Sequence, residues 1–258
     1  MQNTNYTIAE SYTLPSKGII YDIPFDPTVT LRSMTIMEEM KRLSHSEGTN
    51  RVLCEIIDAC LIDKLPISVY DMCIGDYEYL LHKLRVVTYG PEYKMAVGCP
   101  HKGCQSVYTE TFNLDELTNK EFKKEDLDNS LNFILPGCKK EITLRLETPR
   151  LQDTIYRKIN ERKMEAEKYG ASIDDPTILV TLECMIDKVD GKKMSYIELQ
   201  EFIKTLSARD YNVINQKITK STNLIGLNKE INVTCGKCGK MFKTFFRFSS
   251  EFFRPEID

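Results

Sequence analysis

Nine cysteines and three histidines are the residues of this 258-residue chain that could hold a metal or carry redox chemistry. Four of the cysteines fall into two close pairs. Cys235 and Cys238 form a C-x-x-C turn in Val233-Thr-Cys-Gly-Lys-Cys-Gly-Lys-Met-Phe242, with a glycine after each cysteine. Cys99 and Cys104 bracket Pro-His-Lys-Gly, about 130 residues earlier. Each pair leads into a β-prone run, Val107 to Phe112 in the first case and Phe242 to Phe248 in the second. Two thiolates on one turn supply half of a tetrahedral site, and glycines let backbone N–H groups turn in toward the sulfurs. The reading is one structural zinc per chain, held by Cys99, Cys104, Cys235 and Cys238, which ties the middle of the chain to its end. A variant in which His101 replaces one thiolate stands beside it, as does a chain with no metal. A disulfide or redox pair at Cys235 and Cys238 is a further alternative. Redox turns of that kind open a helix after a strand, and no helix is expected here.

The other titratable groups suggest no catalysis. P-loop, dinucleotide, zincin and nucleophile-elbow signatures are absent. Of the histidines His45, His82 and His101, His82 falls inside a helical pattern, where a core or surface role is the plain reading. Asp71, Asp76 and the pair Asp187 and Asp190 sit near turns and helix starts, where capping accounts for them. Asp187-Lys-Val-Asp-Gly191 lacks the downstream ligands of a calcium loop and reads as a turn. The chain is therefore not expected to be an enzyme, and no catalytic or cofactor-binding residue is assigned.

With 41% hydrophobic and 28% charged residues the composition is that of a globular protein able to bury a core. The net charge of -3 and pI near 5.8 give no general affinity for nucleic acid or an anionic membrane. An odd number of scattered cysteines fits a reducing compartment. The polar start Met1-Gln-Asn-Thr-Asn-Tyr6 shows no signal peptide, and no apolar run approaches the ~18 residues of a membrane span. A cytoplasmic site of synthesis and no membrane partner are expected.

Along the chain, residues 1–28 read as an extended arm, broken by Pro24 and Pro27, that either packs on the body or straps a neighbour. Val29-Thr-Leu-Arg32 is a strand. Thr35 then caps a helix, with Glu38 completing a capping box. Helices are expected near 50–62 and 75–87, the second on the spacing of Tyr77, Leu80, Leu81 and Leu84. Met72, Cys73 and the other Met and Cys residues of this region are read as core filler. Residues 113–141 read as a solvated linker with at most a short helix. Ile142-Thr-Leu-Arg145 is again a strand, and Pro149 starts a long helix with a solvated charged face from Arg157 to Lys168. Further helices are expected through Thr181 to Ile186, from Ser195 and from Ser207.

The order repeats itself. Thr-Leu-Arg recurs in the two strands and Asp-Tyr at 76–77 and 210–211, 23 residues before Cys99 and 25 before Cys235. The fold class expected is α+β, mainly helical, with two pseudo-repeats (29–112 and 142–248). Each repeat ends in a zinc knuckle plus a β-hairpin, and together these form a zinc ribbon. The C-terminal aromatic tail 249–258 carries Phe252, Phe253 and Arg254, which are read as an interface for a partner.

The pattern resembles the baseplate protein family of T-even-like contractile-tailed bacteriophages. The resemblance runs from Leu14-Pro-Ser-Lys-Gly18 through Met34-Thr-Ile-Met-Glu-Glu39, Arg85 to Tyr89-Gly90 and the two cysteine pairs to Phe252-Phe-Arg-Pro255. The first cysteine pair is wider than the family's. The resemblance implies a structural or assembly protein of the baseplate hub, with other tail proteins as partners. It also implies a place in the host cytoplasm during assembly and then in the virion tail. A zinc-ribbon protein that binds nucleic acid or accompanies transcription is the alternative. It would need a basic face, for which only Lys237, Lys240, Lys243 and Arg247 are at hand.

Overall fold

Alternation makes the first strand pair. Val29 and Leu31 are fully buried, and Thr28, Thr30 and Arg32, which alternate with them, are not. The computed structural model describes residues 7–44, 50–169, 175–246 and 252–253. Strand β1 (Ala9–Thr13) pairs antiparallel with β2 (Thr28–Arg32). Helix α1 (Ile36–Leu43) follows, with the expected capping box of Thr35 and Glu38 in place. Helix α2 (Asn50–Cys60), a 3-10 turn (Val69–Asp71) and α3 (Ile74–Tyr89) complete the first helical layer. Strands β3 (Glu92–Gly98) and β4 (Val107–Asn113) make a hairpin.

Helix α4 (Lys124–Leu131) leads into β5 (Asn132–Ile134), which pairs with β6 (Glu141–Leu144). After α5 (Pro149–Tyr169) and α6 (Thr177–Met185), β7 (Ile186–Val189) adds to the other edge of β6. Helices α7 (Tyr196–Thr205) and α8 (Ala208–Leu224) precede the hairpin of β8 (Glu230–Thr234) and β9 (Met241–Phe245). Ser195 and Ser207 cap α7 and α8, as the sequence predicts. The α+β class is as expected.

One buried carboxylate ties each opening hairpin to the helix that precedes a cysteine hairpin. Asp76, in the first turn of α3, accepts from the Ser16 N–H at 2.9 Å, the Ser16 hydroxyl at 2.5 Å and the Tyr21 hydroxyl at 2.7 Å. Asp210, in the first turn of α8, accepts from the Gly137 N–H at 2.7 Å and the Cys138 N–H at 3.3 Å. Ser16 and Gly137 each lie two residues past a fully buried leucine, Leu14 and Leu135. The helices cross where Gly75 meets Ile225. A Cβ on Gly75 would sit 2.5 Å from the Ile225 carbonyl oxygen, so only glycine fits.

Of the two readings of the arm, the described residues 7–28 show packing on the body: β1 is paired, and Leu14 and Ser16 are buried. Three expectations are corrected. The stretch read as a solvated linker does carry a short helix, but it also supplies β5 and the buried Leu114, Leu127 and Leu135. Met37 and Met40 are not core filler but 67% and 58% exposed, because α1 turns its charged side inward. Asp187 and Val189 belong to β7, and the turn proper is Asp190-Gly191, both at positive φ.

Candidate metal centre

The four cysteines sit at the tips of the two hairpins. In the first, the Cys99 N–H donates to the Ser106 carbonyl at 2.9 Å; in the second, the Cys235 N–H donates to the Lys240 carbonyl at 3.0 Å. The same bond thus closes both turns. The residue after the second cysteine is left-handed in each, Gln105 at φ 45° and Gly239 at φ 70°. The wider first turn accommodates its extra residues with Gly103 at φ 91° and with the Cys104 N–H bonded to the His101 carbonyl at 3.0 Å.

Folding brings the pairs together. The sulfurs of Cys99 and Cys238 are 3.8 Å apart, as are those of Cys104 and Cys235. All four ligand atoms lie within 4.8 Å of one another. These two pairs each join one hairpin to the other, so the group draws on both turns. Val97 and Phe112 of one hairpin pack with Val233 and Phe242 of the other beneath the sulfurs. Cys99 and Cys235 are buried, Cys104 is half-buried and Cys238 is exposed.

The surroundings favour thiolate at some positions and thiol at others. N–H groups of Cys238 and Lys237 point at the Cys235 sulfur and hold its pKa down to about 6. The Ser106 hydroxyl, 3.2 Å from the Cys104 sulfur, lowers Cys104 as well, while burial pushes Cys99 up to about 12. Ser106 also lies 3.6 Å from the Cys235 sulfur, so it serves both hairpins. The sequence reading missed it. A hydroxyl residue just after the second cysteine of a knuckle was the available signal. Four sulfur donors this close could hold a metal ion, which would relieve the crowding of negative charge that multiple thiolates create.

His101 stands outside the group. Its Nε2 donates to the Met241 carbonyl at 3.2 Å, and its ring meets the edge of Phe242. His82 is a core histidine: Nε2 donates to the Leu114 carbonyl at 3.0 Å, and burial lowers its pKa to about 4. His45, Arg247 and Arg254 lie outside the described residues. Of the basic residues considered for nucleic acid, Lys243 is paired with Glu230, and Lys237 and Lys240 are exposed beside the sulfurs.

The terminal phenylalanines correct the interface reading. Phe252 and Phe253 are 1% and 5% exposed, inside the chain's own first core, where Phe252 meets the edges of Tyr93, Phe246 and Phe253. The Phe252 carbonyl accepts from the Arg85 Nε at 3.0 Å. Large rings near a terminus need burial, and this chain buries them itself.

Among the described residues no helix is long and apolar enough to cross a membrane. No curated protein and no solved structure matches the chain. A family model described as T4 bacteriophage base plate protein matches residues 6–254, nearly the whole chain, and the chain belongs to that family.

Proposed function

We propose that the chain is a structural protein of the phage baseplate hub, that its four cysteines hold one zinc ion, and that it works through contacts with other tail proteins. The observation that carries the metal is the sulfur spacing. Four thiolates around zinc at about 2.3 Å in a tetrahedron lie about 3.8 Å apart, and the two cross-hairpin pairs are at 3.8 Å. An all-sulfur tetrahedral set suits zinc, with iron the other candidate. A closed set with no open position suits a staple and not a catalyst. The matched hairpins, buried carboxylates and turn bonds support a duplication, with 29–112 and 142–248 as the bodies of the two copies and β1 and β5 as their opening strands. The family supports a place in the phage tail, and the acidic whole favours protein over nucleic acid as the partner.

Elemental analysis of protein purified under reducing conditions tests the metal, with about one zinc per chain expected. Iron or no metal would overturn it. Mass spectrometry of purified tails tests the place of action. The chain is expected among the baseplate components, and its consistent absence from finished particles and from baseplate intermediates would refute the structural role.

A further inference from the structure

Helix α1 is amphipathic with its apolar side facing solvent. Ile36, Met37, Met40 and Leu43, one stripe at helical spacing, are 74%, 67%, 58% and 67% exposed. Its charges face the body instead. Glu38 pairs with Arg32 at 2.8 Å, Glu39 with Arg42 at 2.6 Å, and Tyr89 donates to Glu39 at 2.8 Å. A stripe of four large apolar side chains with its polar side already held is a surface for another protein.

The second half of the chain indicates which protein. Thr35 before α1 and Thr148 before α5 each lie three residues past an arginine, Arg32 at the end of β2 and Arg145 just after β6. Counted from those threonines, Met37, Met40 and Leu43 correspond to Arg150, Asp153 and Tyr156. On α5 that face docks on the first half. Arg150 reaches Asp71 at 2.5 Å and lies 4.4 Å from the Tyr70 ring centre. Asp153 accepts from the N–H groups of Asn50 and Arg51 at 3.0 and 3.1 Å and from the Tyr70 hydroxyl at 3.0 Å.

The receiving elements are α2 and the 3-10 turn that Ser68 opens. Their counterparts in the second half are α6 and α7, and Ser195 opens α7. Counted from the two serines, Tyr70 corresponds to Ile197. Ile197 is 71% exposed, with Tyr196 at 54% and Met194 at 37% beside it. The polar set Arg150, Asp153 and Tyr70 is thus matched by an apolar set, Met37, Met40 and Ile197. One interface is closed within the chain, and both faces of the other are open.

We infer that the apolar face of α1 docks on the Met194–Ile197 face of α7 in a second copy of this chain. The choice of partner face rests on the duplication proposed above; the α1 surface stands on its exposure alone. Changes that are apolar on both sides keep the contact complementary, whereas a charge on either side leaves a desolvated ion without a partner.

Sedimentation velocity on the full-length protein over a concentration series tests this. The unaltered chain is expected to associate, and Met40→Glu and Ile197→Glu are each expected to stay at one-chain mass. An equimolar mixture of the two keeps one good face of each kind and is expected to give a species of twice that mass. Leu43→Glu should behave as Met40→Glu does. Far-UV circular dichroism should be unchanged, since every altered side chain is exposed. The inference is overturned if the unaltered chain is monomeric throughout, if either variant associates as well as the parent, if the mixture stays monomeric, or if only a different tail protein binds the α1 face. Zinc per chain, measured on the same samples, reports separately on the metal reading.

Discussion

Replacing Phe252 by alanine separates a core role from an interface role. The ring is 1% exposed and lies 5.4 Å from Tyr93, 5.7 Å from Phe246 and 5.3 Å from Phe253, each in edge contact. A buried Phe→Ala change costs about 3–5 kcal/mol in transfer and cavity terms. Three aromatic neighbours place this site in the upper part of that range, since each pair adds roughly 0.5–1.5 kcal/mol beyond burial. For a chain of this length 1 kcal/mol moves Tm by about 2–4 °C, so a cost of about 4–5 kcal/mol should lower it by roughly 8–20 °C. Differential scanning calorimetry on the metal-loaded protein is the assay. Phe245→Ala is the control, because that ring is 59% exposed and the expected change is within about 0.5 kcal/mol. A Phe252→Ala protein that melts within 2 °C of the parent would show that the ring does little for the core. The terminal aromatics would then have to be explained by a partner after all.

Three further outcomes follow from the same structure. Cys238→Ser should cut zinc binding and lower Tm far more than Cys54→Ser, because Cys54 is a buried thiol away from the cluster, and chelation should reproduce the Cys238→Ser loss. Gly75→Ala should destabilise by about 1–3 kcal/mol, the usual cost of overpacking, because its Cβ meets the Ile225 backbone; urea titration would read it. Arg32 beside Glu38, with Thr35, holds that carboxylate down to about 2. Its stabilisation is present above the ordinary glutamate range and lost as pH falls toward 2, so acid unfolding of Glu38→Gln should start from a lower stability with a shallower slope between about pH 4.5 and 2.

The parts legible in the sequence are those set by local chemistry. Thr35 with Glu38, Ser195 and Ser207 announce helix starts because a side-chain oxygen three residues before an N–H closes a turn wherever it occurs. The cysteine pairs were readable because ligand spacing is also local, and reading each pair as half of a four-donor set is what predicted that they converge. The misread parts depend on distant partners. Leu14-Pro-Ser-Lys-Gly18 looks like a loop until Asp76, far along the chain, supplies the acceptor for Ser16. Phe252 near a terminus looks available until Tyr93 and Phe246 surround it. The stripe on α1 has the period of a core helix, and only the ion pairs of Glu38 and Glu39 decide which side faces in.

The separation of the two cysteine pairs fixes when the centre can close during synthesis. Cys104 and Cys235 are 131 residues apart. At the ~5–20 residues per second of a translating ribosome, roughly 7–26 s pass between them. Through that interval the first two thiols wait at the tip of a finished hairpin with no second pair to meet. Three rings that fill the first core, Phe246, Phe252 and Phe253, follow the second cysteine pair in the chain. Sulfur cluster and first core therefore both wait for the chain from Cys235 onward. A chain that stops before Cys235 lacks two of the four thiols and all three of these rings.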